Sequence, residues 1–185
     1  MIYAMRFFAL VAGLLVAAHA AVVPRITAEE LAAQSERIVR GEVVRSRTAW
    51  DSEHKYIWTH YEVAVAEMVR GPHAATITVS EPGGSLDWVN MQSSGTLPFT
   101  VGEDTVLFLY RTPIGYWRTV GGPQGKYTVS AQGRVGADSQ GIAYAEPAGG
   151  MRPGAPLAAF EGIPVSDFLA RVRRLVAAHP YRGGR

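Results

Sequence analysis

Apolar and polar positions alternate in short runs along much of the chain, and the runs end at Gly, Pro or clusters of polar residues. This is how half-buried strands separated by turns are written. Ile38, Val39, Val43 and Val44 predict a first strand with Gly41 inside it, and a glycine within a strand marks a bulge or tight bend. Asp51–Lys55 is polar and predicts a hairpin loop. In "YEVAVAEMVRGP", residues 61–72, Tyr61, Val63 and Val65 point one way while His60, Glu62, Ala64 and Ala66 point the other. Strict continuation would bury Glu67 and expose Met68. A slip of phase near Ala66–Met68 is therefore expected, in a long bent strand from about Tyr56 to Val69 that Arg70-Gly71-Pro72 terminates. Thr76–Ser80, "GEDTVLFLY" at 102–110, Tyr116–Val120 and Lys126–Ser130 predict further strands. Arg134–Gly136 pairs back through Ala131–Gly133.

Two segments read as helices instead. Thr27-Ala-Glu-Glu30 is a capping box, which starts a short helix over Thr27–Gln34. In "PVSDFLARVRRLVAAH", residues 164–179, Phe168, Leu169, Val172, Leu175 and Val176 form one apolar face, with Ser166 as the expected cap. Residues 137–164 are rich in Gly, Ala and Pro and read as a surface arm. The pattern predicts an all-β fold, a small closed OB-like barrel over residues 21–136. The short N-terminal helix flanks it, and a C-terminal amphipathic helix over 165–179 packs outside.

The first twenty residues are a separate object. "MIYAMRFFALVAGLLVAAHA" holds one cation, Arg6, an apolar run from Phe7 to Ala18, and Ala18-His19-Ala20. These are the three regions of an export signal, with cleavage expected after Ala20 and an exported mature chain. The run is short for a membrane span, and no second candidate span follows. The whole chain has 18 basic and 16 acidic residues; removing residues 1–20 takes away Arg6 and no acid, leaving 17 against 16. So even a balance argues against nucleic acid as a partner, because phosphate binding needs a concentrated basic face. Hydrophobic residues make up 48% and charged ones 18%, as in a folded globular chain. Cysteine is absent, which excludes thiol catalysis, thiolate metal sites and disulfides.

A bulged first strand, a long bent second strand ending in a basic residue, Gly and Pro, and a short following strand together resemble the netrin-like OB-fold. The likeness is closest to the inhibitory domain of the tissue inhibitors of metalloproteinases. "SERIVRGEVV" resembles that family's first strand and "YEVAVAEMVRGP" its second. Ala21 falls at about the family's mature first residue, with Pro24 a few positions on and Ser35 just before strand one. A "GE…VLFL" strand and a "QGKY" strand are similar to those of a set of exported bacterial proteins. The likeness covers about Ala21 to Ser130. It implies a module whose first residue presents its α-amino nitrogen and carbonyl oxygen to the zinc of a secreted metalloprotease. In the family that residue is a disulfide-bonded cysteine. Here it is Ala21, so the expectation is a backbone that can still reach a metal but that nothing pins.

Other motifs carry less. "GGPQGKYT", residues 121–128, has too short a glycine spacing for a phosphate loop, and Tyr127 follows Lys126 where Ser or Thr is needed. It reads as a glycine turn into a strand. Asp51, Glu53, His54, His60 and Glu62 gather around one hairpin, where a solvated polar loop is expected rather than a metal site. His73 and His179 read as exposed. Glu103-Asp104 reads as a pair of solvated turn acids. No Gly-x-Ser-x-Gly elbow is present, and no catalytic residue, cofactor site or metal site of the chain's own is expected. The stretch Gly83–Pro98 carries Trp88, Val89 and Met91 among Gly, Ser and Asn. Trp88 is there either a partner anchor or a lid folded over the barrel's open end. The expected function is an exported, non-enzymatic protein-binding module acting through Ala21, Val22, Val23, Trp88 and Met91. A structural or envelope-associated module is the alternative, and an enzyme with a site that only folding assembles is a further one.

Overall fold

The structure, a computed structural model, describes residues 21–93, 95–96, 98–137, 142–145, 151–153 and 160–183. The expected export signal, residues 1–20, lies outside these. Strand β1 is Ala21–Pro24, and helix α1 is Ala28–Gln34. Two fourteen-residue strands follow, β2 (Arg37–Trp50) and β3 (Ile57–Arg70), then β4 (Thr76–Pro82). A small hairpin is made by β5 (Gly84–Leu86) and β6 (Val89–Met91). After β7 (Asp104–Arg111) and β8 (Trp117–Thr119), the 3-10 turn η1 (Gly122–Gly125) leads into β9 (Lys126–Val129) and β10 (Val135–Gly136). β11 (Ile142–Ala145), β12 (Met151–Pro153) and helix α2 (Val165–Ala178) complete the order. The fold is dominated by β-sheet with one helix near each end, as the pattern predicts.

The main sheet runs β10-β9-β7-β2-β3-β4-β8, and β8 also pairs with β7. β4 and β8 are parallel and meet at one registered pair, Val79 with Trp117; the other neighbours are antiparallel. That sparse junction is reinforced by a buried carboxylate. Glu81 accepts the Thr119 N–H at 3.0 Å and the Thr119 hydroxyl at 2.8 Å, and its other oxygen accepts from the Arg118 guanidinium. A second sheet, β1-β11-β12, includes two strands of the 137–164 segment. The segment read as a surface arm thus contains two short strands.

The long strands bend at bulges. Gly41 pairs with Val65 and Arg40 with Glu67, so Ala66 has no partner on β2; further slips leave out Val69 on β3 and Val44 on β2. The phase slip expected near Ala66–Met68 lies at Ala66. Met68 packs on the core, while Glu67 faces out and pairs with Arg173. Gly41 is required by proximity, since a Cβ there would lie 2.2 Å from the Ala64 carbonyl oxygen.

Two apolar clusters result. Val39, Val43, Tyr61, Val63, Val79, Leu107 and Leu109 pack together on one face of the main sheet. Leu31, Ile38, Phe108, Tyr127, Phe168, Leu169 and Val172 join the helices to the outer side. α1 has the expected capping box, the Thr27 hydroxyl accepting from Glu30 N–H at 3.1 Å and the Glu30 carboxylate accepting from Thr27 N–H at 2.7 Å. α2 departs from expectation: Pro164 is its N-cap and Ser166 lies inside the first turn, with no side-chain cap. Proline stands there because its fixed φ suits a helix entry. Both helices end at Arg70, whose guanidinium donates to the carbonyls of Ala32, Ser35, Val176 and His179. Neither helix has a basic residue in its last turn. The Arg70 charge therefore supplies what both carbonyl-terminated ends lack.

Candidate functional site

Three of the expected site residues, Ala21, Val22 and Val23, lie on β1, and the other two, Trp88 and Met91, on the β5–β6 hairpin. β1 pairs in parallel with β11, Ala21 opposite Ile142 and Val23 opposite Tyr144, and it is an edge strand of its sheet. Pro24 ends it. Beyond Pro24, Arg25 N–H donates to the Ala145 carbonyl at 2.9 Å. Ile26 N–H donates to Gln124 Oε1 at 2.9 Å, and Gln124 Nε2 donates back to the Pro24 carbonyl at 2.8 Å. The N-terminal segment is therefore pinned without a disulfide. This corrects the expectation that nothing would hold it: a buried amide and a parallel strand do the work of the missing bonds.

The amide that does this belongs to "GGPQGKYT". Its glycines serve close packing. A Cβ on Gly122, which has φ of 60°, would lie 2.5 Å from the Gly95 carbonyl oxygen, and Gly95 in turn lies against Val23. Lys126 does not wait for a phosphate. Its side chain is buried, with Nζ 2.9 Å from Glu103 Oε1 and 2.9 Å from the Pro98 carbonyl, and 4.4 Å from the centre of the Phe99 ring. Glu103 and Asp104 are correspondingly not solvated turn acids. Glu103 pairs with Lys126, and Asp104 takes both ends of the Arg40 guanidinium.

The connector 83–98 is more ordered than its composition suggests. β5 and β6 pair Gly84 with Met91 and Leu86 with Val89, turning at Asp87-Trp88, where Asp87 takes φ of 52°. The hairpin is tied to β3 by Thr59 Oγ1 donating to the Gly83 carbonyl at 2.7 Å and by Gly83 N–H donating to Ile57. Trp88 is 93% exposed at the tip. It does not fold back as a lid. Met91 does not share that exposure; it is half-buried, and its sulfur accepts the Ile57 N–H at 3.4 Å. That contact ties β6 to the start of β3. Between the hairpin and strands β3 and β4 lies a cavity of about 560 Å³ floored by Thr59, Tyr61 and Glu81. Burial there raises the Tyr61 phenol above its ordinary pKa.

The structure thus brings Val23 of β1 and the 83–98 connector together at Gly95, while Trp88 projects from the hairpin of that connector. Sequence reasoning missed Gln124. A single amide among glycines has no periodicity to announce it.

The polar hairpin residues go separate ways. His54 stacks on Trp50, Glu62 pairs with Arg45 at 2.6 Å, and Asp51 accepts the Lys55 N–H at 2.8 Å. His60 is buried with Nδ1 2.8 Å from Ser80 Oγ. Desolvation first, and the nearby Arg47 charge second, lower its pKa. Among the described residues no three His, Asp or Glu side chains converge as a metal set. His73 is exposed, whereas His179 is half-buried at the end of α2. No described helix is long and apolar enough to cross a membrane. No protein-family model matches the chain, and comparison with characterised proteins finds no match.

Proposed function

We propose that the protein is an exported, non-enzymatic module that binds another protein along the edge formed by β1 and the 83–98 connector. A secreted zinc metalloprotease is the partner its N-terminus suits. The contact of Val23 with Gly95 carries this reading, because it couples the terminal strand to the connector that holds Trp88 in water. A solvent-exposed tryptophan offers a partner large contact area at small entropic cost. As an edge strand, β1 also has main-chain groups to which an extended segment can add.

The fold reading that accompanies this is a netrin-like OB barrel. Its support is the circuit of pairings β2, β3, β4, β8, β7 and back to β2, with β4 and β8 parallel. With Ala21 as first residue, its α-amino nitrogen and carbonyl oxygen become available to a partner's zinc. A terminal amine with an ordinary pKa of about 7.7 is substantially neutral at mild pH, and metal binding favours that form. Ordering a free end costs about 1–2 kcal/mol per residue. Gln124 and β11 meet that cost during folding, so it does not subtract from binding.

The test is inhibition of a panel of secreted zinc metalloproteases by the chain beginning at Ala21. Inhibition should be lost on acetylating Ala21 or adding one residue before it, and Trp88→Ala should weaken it about thirtyfold. Inhibition untouched by all three changes would move the binding surface elsewhere. Absence of inhibition across the panel would remove the protease as partner.

A further inference from the structure

A second groove lies on the opposite face of β3. Thr59 and Tyr61 turn toward the hairpin cavity, whereas His60, between them in sequence, turns the other way. There, next to the parallel β4–β8 junction, is an open cavity of about 560 Å³ with a mostly polar lining, within the range of small-molecule sites. Its floor is the outward row of β4, Thr76, Thr78 and Ser80. Its walls are aromatic: Trp50 on one side, Tyr116 and Trp117 on the other. Tyr116 packs edge-on to Trp58 at 5.0 Å and to His60 at 5.4 Å.

The charge around this groove is one-sided. Arg37 and Arg47 line it, and Arg111 stands beside Trp117. Arg37 lies over the Trp117 ring at 4.5 Å. None of the three has a carboxylate partner among the described residues. Glu62 is engaged by Arg45 and Glu81 by Arg118 and Thr119, and no acid lines the groove among the described residues. What remains is a hydroxyl-lined floor, flat ring walls and guanidinium groups without counter-ions.

We propose that this groove binds an acidic saccharide, with a uronate carboxylate on the free fork of Arg47 or Arg37 and the sugar ring against the aromatic wall. An arginine fork matches a carboxylate in two parallel hydrogen bonds. Thr76 and Thr78 are both exposed in the floor, where their hydroxyls can meet those of a sugar. An extended peptide would want apolar side-chain pockets, which this lining lacks. A nucleic-acid strand would want a longer run of cations than a chain with 18 bases and 16 acids gathers here. This site is separate from the β1–hairpin edge and does not depend on its role.

Calorimetric titration of the full chain tests the assignment, using tetragalacturonate, an uncharged tetrasaccharide of the same length, polyphosphate and an oligoglutamate peptide as probes. The uronate should bind at least tenfold more tightly than each of the others. Arg47→Ala should weaken it tenfold or more. Arg47→Lys, which keeps charge but loses the fork, should fall between. Arg47 is exposed, so these variants should melt like the parent, and shifts of the Trp50 and Trp117 indole N–H resonances should report the location. Trp88→Ala should bind the uronate unchanged. No uronate binding at millimolar concentration, binding indifferent to Arg47→Ala, or tighter binding of polyphosphate or oligoglutamate would each overturn the proposal.

Discussion

The side chain of Gln124 accepts the main-chain N–H of Ile26 at 2.9 Å across a separation of 98 residues. The same amide donates to the Pro24 carbonyl, so one buried group closes both sides of Arg25. Gln124→Ala leaves a donor and an acceptor unpaired, at about 1–3 kcal/mol for a buried group. The loss should be local. Amides of residues 22–26 should exchange with deuterium much faster, while those of β2 and β3 keep their protection. Gln124→Glu should not rescue, because a carboxylate can accept from Ile26 but faces the Pro24 and Gly121 carbonyls with no donor. Unchanged exchange at 22–26 in the alanine variant would show that β11 alone holds the strand.

Arg70 should matter more to stability than its half-buried position suggests. Its four acceptors sit at the carbonyl ends of α1 and α2, and burial lowers its pKa, so the site resists the charge that it needs. Arg70→Met removes that charge with its desolvation penalty but strands four carbonyls. We expect a net loss of about 2–4 kcal/mol in denaturant unfolding. Arg70→Lys should recover part of it, since one ammonium has three donors and cannot span both helix ends. A lysine variant as stable as the parent would mean that charge, and not the fork, is what the helix ends require.

How much of this was legible depends on the range of the interaction. Thr27 and Glu30 lie three apart, so their capping box is visible in the sequence. The conflict between Glu67 and Met68 locates the Ala66 bulge because alternation is local. The Gly41 bend is readable as a type, though not its cause, the Ala64 carbonyl packed against it. Distant pairings leave no such trace. β1 meets β11 in parallel across more than a hundred residues, and the Gly/Ala/Pro composition around β11 has no alternating signal. The β5–β6 hairpin is hidden because its strands have three residues each and its turn uses Asp87-Trp88, without the glycine that marks such turns. Glu103 looks like a surface acid because its partner, Lys126, arrives from another strand.

Acid should weaken the fold through His60. Its folded pKa is lowered from 6.5 by burial, with Arg47 adding repulsion, while Ser80 and the Tyr116 ring occupy its other sides. A histidine that the folded state keeps neutral binds its proton more readily when unfolded. Its contribution is therefore full above about pH 6.5 and is lost as pH falls from there through the lowered value. Below both values the deficit is constant. His60→Gln should lose that slope, and the difference between the two denaturation midpoints, followed from pH 8 to pH 5, isolates it. Parallel curves would place the titration elsewhere.

Lys126 and Glu103 form the pair most exposed to a double-mutant test. The Lys126 side chain is 4% exposed and that of Glu103 15%. Both are satisfied beyond each other, Lys126 by the Pro98 carbonyl and the Phe99 ring, Glu103 by the Thr100 N–H at 3.0 Å. Lys126→Met leaves a largely buried carboxylate without its cation and a carbonyl without a donor, at about 3–5 kcal/mol. Glu103→Gln leaves a buried ammonium with one neutral acceptor and a ring face, at a similar cost. The double variant removes both charges together, so it should lose clearly less than the sum of the singles. The residual loss should concentrate at Pro98, where Lys126 ties down the end of the 83–98 connector. Faster exchange of the amides in residues 95–96 and 99–100, in both variants that lack Lys126 but not in Glu103→Gln, would mark that tether. Additive losses among the four midpoints would instead mean that the two charges are held by their other partners and stabilise the fold independently.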